Sequence, residues 1–377
     1  MKLAPFLLDQ WLEQSNRADS KIDFDLGSST GPSWTLRELL ALSGDEEYER
    51  LLDTKLFYTP APGSPALRQA IAALEGVEPD HVQIVTGAAE ALLLLFFLAA
   101  EPGANVVLPS PGFPANTALA ESFGLEVRQY RLRSENAFRI DADEIRSIVD
   151  RNTRFLLVNS PHNPTGAVLS DQDMEELHDF CANRGVQFVS DQVYHPIYHG
   201  PEMRSAARLP HATVLGDFSK ALCLSGLRTG WIVDRDPKRR QSYLNARSYF
   251  TVSNTVLGER LATLAAQQSQ AIYSRARHIA QKNLALLDQL LSDNQDLFHW
   301  VRPRGGMTAF PSLADGTGAR EFCSNLARRG VLVAPGDCFG MPSHIRLGFG
   351  TSGDRFPKAL ARLAEFLHSE RRHFAAV

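Results

Sequence analysis

The chain has few of the features that mark several classes of protein. Its 377 residues include only four cysteines: Cys181, Cys223, Cys323 and Cys338. They form no C-x-x-C pair and have no histidine at zinc-site spacing, so neither a disulfide framework nor a metal site is expected. Scattered thiols are typical of a reducing compartment, which favours a cytoplasmic location. Pro5 and Asp9 interrupt the short apolar run at the N-terminus, so we expect no signal peptide.

Long apolar runs and an excess of charge of one sign are also missing. The most apolar stretch, Ala88–Ala100, contains Glu90 and is shorter than the ~18–20 residues that span a membrane. With 39 basic and 43 acidic residues the net charge is -4, so we expect no general attraction to nucleic acid or to anionic membranes. A hydrophobic content of 44% excludes intrinsic disorder. These absences leave a globular protein whose function must be inferred from motifs.

Short apolar runs alternate with helical patterns through the middle of the chain. Helices are predicted from Ala88 onward and over Asp171–Asn183. The predicted strands are Val82–Val85, Asn105–Leu108, Phe155–Val158, Val186–Val189, Thr213–Leu215 and Trp231–Val233. This alternation predicts an α/β fold with a mainly parallel sheet flanked by helices. In such sheets ligands bind beyond the carboxyl ends of the strands.

The pattern changes after about residue 255. Long helical stretches cover Leu257–Leu291, and a compact segment with short strands ends in a helix over Pro357–His368. We therefore predict a large domain over residues 45–285 and a smaller α/β domain formed by residues 1–44 and 286–377.

Lysine is scarce, and one lysine stands at the end of a predicted strand. The chain has seven lysines, and none lies between Lys55 and Lys220. Lys220 stands eight residues before Arg228. A partly desolvated lysine at a strand end can form an imine, although a surface lysine is the simpler interpretation when this residue is taken alone.

Other polar residues occupy equivalent places. Asn163 lies in a turn after the strand at 155–158, Asp191 follows the strand at 186–189, and Tyr194 comes three residues later. Together with Lys220 and Arg228 they each lie near the end of a strand. The sequence therefore predicts that these side chains meet at one edge of the sheet.

Jointly, these motifs resemble those of the class I/II aminotransferases of the pyridoxal-phosphate-dependent aspartate aminotransferase superfamily. The resemblance covers nearly the whole chain, and its motifs are Asn163-Pro164-Thr165-Gly166, Asp191-x-x-Tyr194, Ser219-Lys220, Gly226-Leu227-Arg228-x-Gly230, Tyr58 and Arg346. It implies the aminotransferase fold and pyridoxal 5′-phosphate as the cofactor. It also implies an amino acid and a 2-oxo acid as substrates, and a homodimer with shared active sites.

The resemblance further implies the roles of the residues around the cofactor ring. Lys220 would hold the cofactor as an imine and then move the proton at the substrate α-carbon. Asp191 would pair with the pyridine nitrogen and keep it protonated. Tyr194 and Asn163 would hydrogen-bond the phenolic oxygen, and Phe113 would lie against the ring face.

The phosphate and the substrate carboxylate need anion sites. The resemblance assigns the phosphate to the start of the apolar helix, to charged and polar side chains, and to a tyrosine of the neighbouring subunit; the residues are Gly87, Ala88, Ala89, Ser219, Arg228 and Tyr58. It assigns the substrate to Arg346, Asn163 and Gly27. One departure is Asp217, where the family usually has Ser or Thr. An ionised carboxylate there would repel the phosphate, so it either turns away, towards Arg228, or carries a proton.

Transamination is the default reaction of the family, and two alternatives remain. The segments Ala4-Pro5-Phe6-x-x-x-x-Trp11-Leu12, Ser28-Ser29-Thr30-Gly31 and Pro303–Phe310 are similar to those of capreomycidine-synthase-type enzymes. Such enzymes use the same cofactor to cyclise an arginine-derived amino acid, and related lyases are also possible. A non-catalytic regulatory domain is disfavoured, because Lys220 is intact and no DNA-binding segment precedes the domain.

Overall fold

The computed structural model describes residues 3–15, 21–351 and 353–374. Parts of the predicted small domain, namely residues 1, 2, 16–20, 352 and 375–377, lie outside the described residues. The α-helices are α1 Leu7–Ser15, α2 Leu36–Leu40, α3 Asp45–Leu52, α4 Pro65–Glu75, α5 Gly87–Ala99, α6 Pro114–Ser122, α7 Ala142–Ile148, α8 Asp171–Ala182, α9 Pro237–Phe250, α10 Val256–Gln267, α11 Ser269–Ser292, α12 Ala319–Arg328 and α13 Arg355–Phe374. The strands are β1 Phe24–Asp25, β2 Val82–Val85, β3 Asn105–Ser110, β4 Glu126–Arg131, β5 Thr153–Asn159, β6 Gln187–Asp191, β7 Ala212–Asp217, β8 Gly230–Val233, β9 Phe298–His299, β10 Thr308–Ala309, β11 Ser312–Leu313, β12 Val331–Leu332, β13 Ala334–Pro335 and β14 Ile345–Gly348.

A seven-stranded sheet forms the centre of the fold, in the order β2-β8-β7-β6-β5-β3-β4. Strand β8 runs antiparallel to β2 and β7, and the other neighbours pair in parallel. The α/β prediction and the six predicted strands are confirmed. Strand β4 was not predicted, because it is an edge strand with the sequence EVRQYR in which only Tyr130 is fully buried, and its charged residues hide the strand pattern.

Alternate residues of the central strands pack against helices on opposite faces of the sheet. In β5, Leu156 and Val158 belong to one core cluster, whereas Phe155 and Leu157 belong to the other with α5, α6 and α9. The period of two follows from the pleat of a strand. Helix α5 is apolar on nearly all sides, since it lies between the sheet and other helices.

The carboxyl ends of three adjacent strands meet at one edge of the sheet. Strand β5 ends at Asn159, β6 at Asp191 and β7 at Asp217, and antiparallel β8 begins at the same edge with Gly230. At this edge, each strand therefore ends at or is followed by residues of the sequence motifs.

The two ends of the chain pack together beside this edge. Strand β1 pairs in parallel with β12, and the Trp11 indole N–H donates to the main-chain oxygen of Val333 at 2.8 Å. Strand β14 pairs with β10 and β13 and carries Arg346. These contacts agree with a small unit built from both termini, but the boundaries 45–285, 1–44 and 286–377 stay a prediction. Among the described residues, no helix is both long and apolar enough to cross a membrane.

Candidate active site

A cavity of about 420 Å³ opens at this edge of the sheet. The structure brings most of the predicted site residues to its wall: Gly27, Ala88, Ala89, Phe113, Asn163, Asp191, Tyr194, Ser219, Lys220, Arg228 and Arg346. Gly87 stands directly before this lining, at the start of α5. Tyr58 does not reach the cavity. Several further residues line the cavity without having been predicted to do so from the sequence: Phe6, Leu8, Asp9, Leu12, Asp25, Ser29, Thr30 and Asn159.

Lys220 lies three residues beyond the end of β7 and is half-buried. Its Nζ donates a hydrogen bond to Ser29 Oγ at 2.8 Å. The main-chain oxygen of buried Ser29 also accepts from the Tyr194 hydroxyl at 3.3 Å. A loop from the other end of the chain therefore orients both the amine and the phenol. The sequence pattern of Ser28–Gly31 does not indicate this contact, because Lys220 lies 191 residues away in the chain.

Asp191 is the last residue of β6 and is buried. Burial, with a smaller contribution from the negative charge of Asp217, raises the pKa of its carboxyl from 3.8 to about 7. The Val193 N–H, which donates to Oδ1 at 3.2 Å, and the charge of Lys220 both lower that pKa. A buried carboxyl that titrates near neutrality gains a favourable partner when a protonated ring nitrogen lies beside it.

Arg346 is 2% exposed and faces two predicted substrate residues. Its Nη2 donates to the main-chain oxygen of Gly27 at 2.6 Å, and its Nη1 donates to Asn163 Oδ1 at 3.3 Å. Its buried Nε has no partner among the described residues, and burial lowers the pKa of the guanidinium. A buried cation with no carboxylate bound to it favours an incoming anion, and a carboxylate matches its geometry.

Asn163 is held in place by Asn159, a residue that the motifs did not include. Its N–H donates to Asn159 Oδ1 at 2.8 Å, and Asn159 Nδ2 donates to the main-chain oxygen of Asp191 at 3.0 Å. Asn159 therefore connects the turn after β5 to the end of β6. On the other side of the cavity, the Phe113 ring meets Phe6 edge to face, with 5.8 Å between the ring centroids.

The start of α5 and Arg228 form an anion-binding cradle. Gly87 has a φ of +75°, and a Cβ added there would lie 2.7 Å from Arg228 Nη2. Nη1 of the same guanidinium donates to Ser219 Oγ at 3.2 Å. The positive end of a helix dipole, free of side-chain bulk and next to a guanidinium, suits a phosphate.

Comparison with known proteins identifies the family. The sequence profile described as "Aminotransferase class I and II" matches residues 27–363. The chain belongs to this family. It is 33% identical to the capreomycidine synthase of Streptomyces vinaceus, with 97% of this chain and 94% of that protein covered. It is 29% identical to the arginine–pyruvate transaminase of Pseudomonas aeruginosa, with 87% and 89% covered. The crystal structure of a pyridoxal-phosphate-dependent aminotransferase from Streptococcus suis superimposes with a TM-score of 0.90 at 30% identity, covering 98% and 99% of the two chains.

The cofactor of this class I/II aminotransferase is therefore pyridoxal 5′-phosphate. Its cavity has a lysine amine, a buried carboxyl and a cradle at the start of a helix, which fit a carbonyl, a ring nitrogen and a phosphate respectively. The cradle would be obstructed by any side chain at Gly87. The residues present thus fit the group.

The departure at Asp217 has a definite outcome in this aminotransferase. The carboxylate does not turn towards Arg228: it forms no ion pair among the described residues, and it accepts hydrogen bonds from the N–H groups of Ala88 and Ser219. It therefore lies at the anion cradle itself.

Tyr58 stands outside the cavity and is 74% exposed. Its neighbours Leu56 and Phe57 are each 78% exposed, and Tyr249 is 88% exposed. Leu56, Phe57, Tyr58 and Leu257 line one open surface depression and are here called the Tyr58 patch. So much exposed aromatic and aliphatic surface is typical of a face that binds another protein.

Proposed function

We propose that this protein transfers the amino group of an α-amino acid to a 2-oxo acid, with Lys220, Asp191 and Tyr194 as its catalytic residues. The observation that supports this most is the convergence of Lys220, Asp191 and buried Arg346 on one cavity. Lys220 would attach the cofactor covalently, Asp191 would pair with its ring nitrogen, and Arg346 would bind the substrate carboxylate. When bound, pyridoxal 5′-phosphate supplies an electron sink for the charge that develops at the substrate α-carbon.

Each residue around the cofactor ring has a contact that suits its proposed role. Lys220 Nζ would hold the cofactor covalently and later carry the α-proton, and Ser29 Oγ keeps this amine directed into the cavity. Asp191, whose pKa burial raises to about 7, would take the ionised form beside a protonated ring nitrogen. Tyr194 and Asn163 would donate to the phenolic oxygen.

The remaining contacts fix the ring, the phosphate and the substrate. Phe113 would lie against the ring face, held by its contact with Phe6. The phosphate would lie at Gly87, Ala88 and Ala89, next to Ser219 and Arg228. For the substrate carboxylate, Arg346 is held between Gly27 and Asn163, so its guanidinium needs little reorganisation when the anion arrives.

We also propose that the protein is a homodimer in which Tyr58 of the partner subunit completes the phosphate site. In the single chain, Tyr58 is exposed and does not line the cavity. The Tyr58 patch is apolar, and burial of such residues stabilises an interface by roughly 25 cal/mol per Å². A symmetric contact through this patch would cover both copies.

A second candidate function is elimination and ring closure on an arginine-derived amino acid. The identity to capreomycidine synthase extends over nearly the whole chain, and a second relative is an arginine–pyruvate transaminase. The resemblance to the first implies an arginine-derived substrate, and the name of the second specifies arginine, so the side-chain charge of the substrate is the property to test.

The charges that line the cavity favour a cationic substrate side chain. After the proposed roles are assigned, the acidic groups that remain are Asp9, Asp25 and Asp217, of which Asp217 lies at the phosphate cradle. Asp25 Oδ1 already accepts from the N–H groups of Gly27 and Ser28. Asp9, on α1, has no hydrogen bond among the described residues. Partial burial raises the pKa of its carboxyl, as does the charge of Glu13, whereas the charges of Arg346 and Lys220 lower it. A guanidinium or ammonium close by would stabilise its ionised form further.

A panel of amino acids tests both candidates. The purified protein with pyridoxal 5′-phosphate and pyruvate would receive arginine, lysine, aspartate or phenylalanine, and mass spectrometry would follow the products. Transamination predicts the 2-oxo acid of the donor together with alanine; cyclisation predicts a ring product without alanine. A β-hydroxylated arginine is included because elimination needs a leaving group.

The Asp9→Asn variant tests the preference for a cationic side chain. We expect about tenfold lower kcat/KM with arginine, because a charge-assisted hydrogen bond is lost, and little change with phenylalanine. Glu13→Gln is the matched control, since it removes a charge from the same helix at a residue that does not line the cavity. Equal losses for both substrates in Asp9→Asn would contradict the proposed preference.

We further propose a cytoplasmic location. All four cysteines are free and buried, which suits a reducing environment. Fractionation of cells that express the tagged protein at its native level would test this.

A further inference from the structure

Asp217 occupies the place where an anion is expected to bind. It is the last residue of β7, three residues before Lys220, and is 6% exposed. Oδ2 accepts a hydrogen bond from the Ala88 N–H at 2.6 Å, and Oδ1 accepts from the Ser219 N–H. The first of these donors belongs to the first turn of α5. The carboxylate therefore uses donors that the phosphate of the cofactor needs.

The geometry at Gly87 shows how closely the carboxylate and the guanidinium approach this cradle. A Cβ added to Gly87 would lie 2.7 Å from Arg228 Nη2 and 3.2 Å from Asp217 Oδ2. The two side chains thus border the same small space but do not pair with each other. An incoming dianion would meet one cation and one anion there, and like charges at such distances repel strongly in a poorly solvated site.

The other charged groups around Asp217 do not remove this conflict. From β6, Asp191 adds a second negative charge, and the two carboxylates interact. Lys220 follows β7 but donates to Ser29. From α5, Glu90 adds a further carboxylate, which accepts from the Thr86 N–H and pairs with Arg247. Arg228 is the cation at the cradle, and it would also be the phosphate partner.

We propose that Asp217 is an internal anion of the phosphate site, so that the cofactor phosphate binds there together with one proton from solvent. That proton lies in a hydrogen bond between the Asp217 carboxyl and a phosphate oxygen, and the Ala88 N–H turns from Asp217 to the phosphate. One proton is gained and none is released at this site. Binding of the cofactor is thereby linked to pH through Asp217. The proposal rests on the proposed cofactor site.

Binding of pyridoxamine 5′-phosphate tests the linkage, because this ligand forms no covalent bond with Lys220. Titration calorimetry at about pH 8.5, in two buffers of different ionisation enthalpy, gives the protons taken up per ligand. We expect the wild-type protein to take up about one proton more than Asp217→Asn. The side-chain amide of the variant can donate a hydrogen bond to the phosphate without first taking up a proton. The Kd of the wild type should rise about tenfold per pH unit relative to that of the variant.

Pyridoxamine without phosphate is the control ligand. It carries the same ring nitrogen, so proton uptake at Asp191 affects both ligands equally, and we expect no difference between wild type and Asp217→Asn. Asp217→Ser, which also restores a neutral donor, must behave like Asp217→Asn, and circular dichroism confirms that each variant is folded. If Asp217→Asn does not fold, the comparison is made with Asp217→Ser.

The outcomes separate this proposal from the proposed function. Tight binding of pyridoxamine 5′-phosphate with equal proton uptake in wild type and variants would overturn the role of Asp217 and leave the cofactor site intact. A difference that persists with pyridoxamine would also overturn it. If the wild type binds neither ligand, the cofactor site itself is wrong, and the proposal is overturned with it.

Discussion

Lys220 Nζ donates to Ser29 Oγ at 2.8 Å and so ties the proposed catalytic amine to a loop 191 residues earlier in the chain. Ser29 is buried, and its main-chain oxygen accepts a hydrogen bond from the Tyr194 hydroxyl. The same loop begins at Gly27, whose carbonyl oxygen accepts a hydrogen bond from the Arg346 guanidinium. One short loop therefore touches the amine, the phenol and the proposed carboxylate clamp.

Ser29→Ala should slow proton transfer without preventing cofactor binding. Loss of one buried hydrogen bond, about 1 kcal/mol, corresponds to roughly five- to tenfold in rate. The measurement is exchange of the substrate α-hydrogen with solvent deuterium, with bound cofactor quantified by absorbance. Thr30→Ala is the matched control, because Thr30 lines the same cavity but bonds Ser28. Equal exchange rates in Ser29→Ala and wild type would show that the hydroxyl does not position the amine.

Lys220→Ala should abolish covalent attachment of the cofactor and turnover, because no other lysine lines the cavity among the described residues. Borohydride reduction of the loaded wild-type protein, followed by proteolysis and mass spectrometry, should find the pyridoxyl group on the peptide with Lys220. The control is Lys238→Ala, at the exposed start of α9, which should keep the modification. A pyridoxyl group on a different lysine would refute the assignment.

Asp191→Asn should stabilise the cofactor-free protein at alkaline pH. The pKa of Asp191 is 3.8 when unperturbed and about 7 in the folded protein, chiefly through burial. Between these values the folded state binds more protons than the unfolded state, so the contribution of Asp191 to the free energy of unfolding falls as pH rises. This stability is fully present below about pH 4 and lost above about pH 7. Asparagine does not titrate, so the variant should exceed the wild type in stability at about pH 8, by an amount that shrinks towards pH 4.

Urea unfolding of both cofactor-free proteins across this pH range is the measurement. Adding pyridoxal 5′-phosphate should stabilise the wild type more than Asp191→Asn, because the ionised carboxylate then has a cationic ring nitrogen as its partner. A stability difference independent of pH would mean that Asp191 does not titrate in this range.

Mixed dimers should show whether Tyr58 acts across an interface. A heterodimer of Lys220→Ala and Tyr58→Ala chains would hold one complete site, with Lys220 from one chain and Tyr58 from the other. Activity at limiting cofactor should therefore rise on mixing. Lys220→Ala mixed with Arg228→Ala is the control, because both residues line the same cavity in one chain and no complete site can form. A fully active monomer in light scattering would rule out the shared site.

Much of the fold was predictable because it depends on local pattern. Apolar runs of four to seven residues form the buried strands, and residues such as Asn163, Asp191 and Lys220 lie at the strand ends or within four residues of them. The edge strand β4 was missed because its exposure allows charged residues, and the loop at Ser29 was given no role because its partners are distant in sequence.

The sequence by itself determined which residues come to the carboxyl edge of the sheet, since parallel strands bring their ends together whatever the details of packing. Only the tertiary structure decided what those residues contact. The bonds of Lys220 to Ser29 and of Arg346 to Gly27 join positions 191 and 319 residues apart, and the bond of Asp217 to Ala88 joins positions 129 apart. Such contacts depend on how the two ends of the chain and the helices pack against the sheet, and no local periodicity encodes that arrangement.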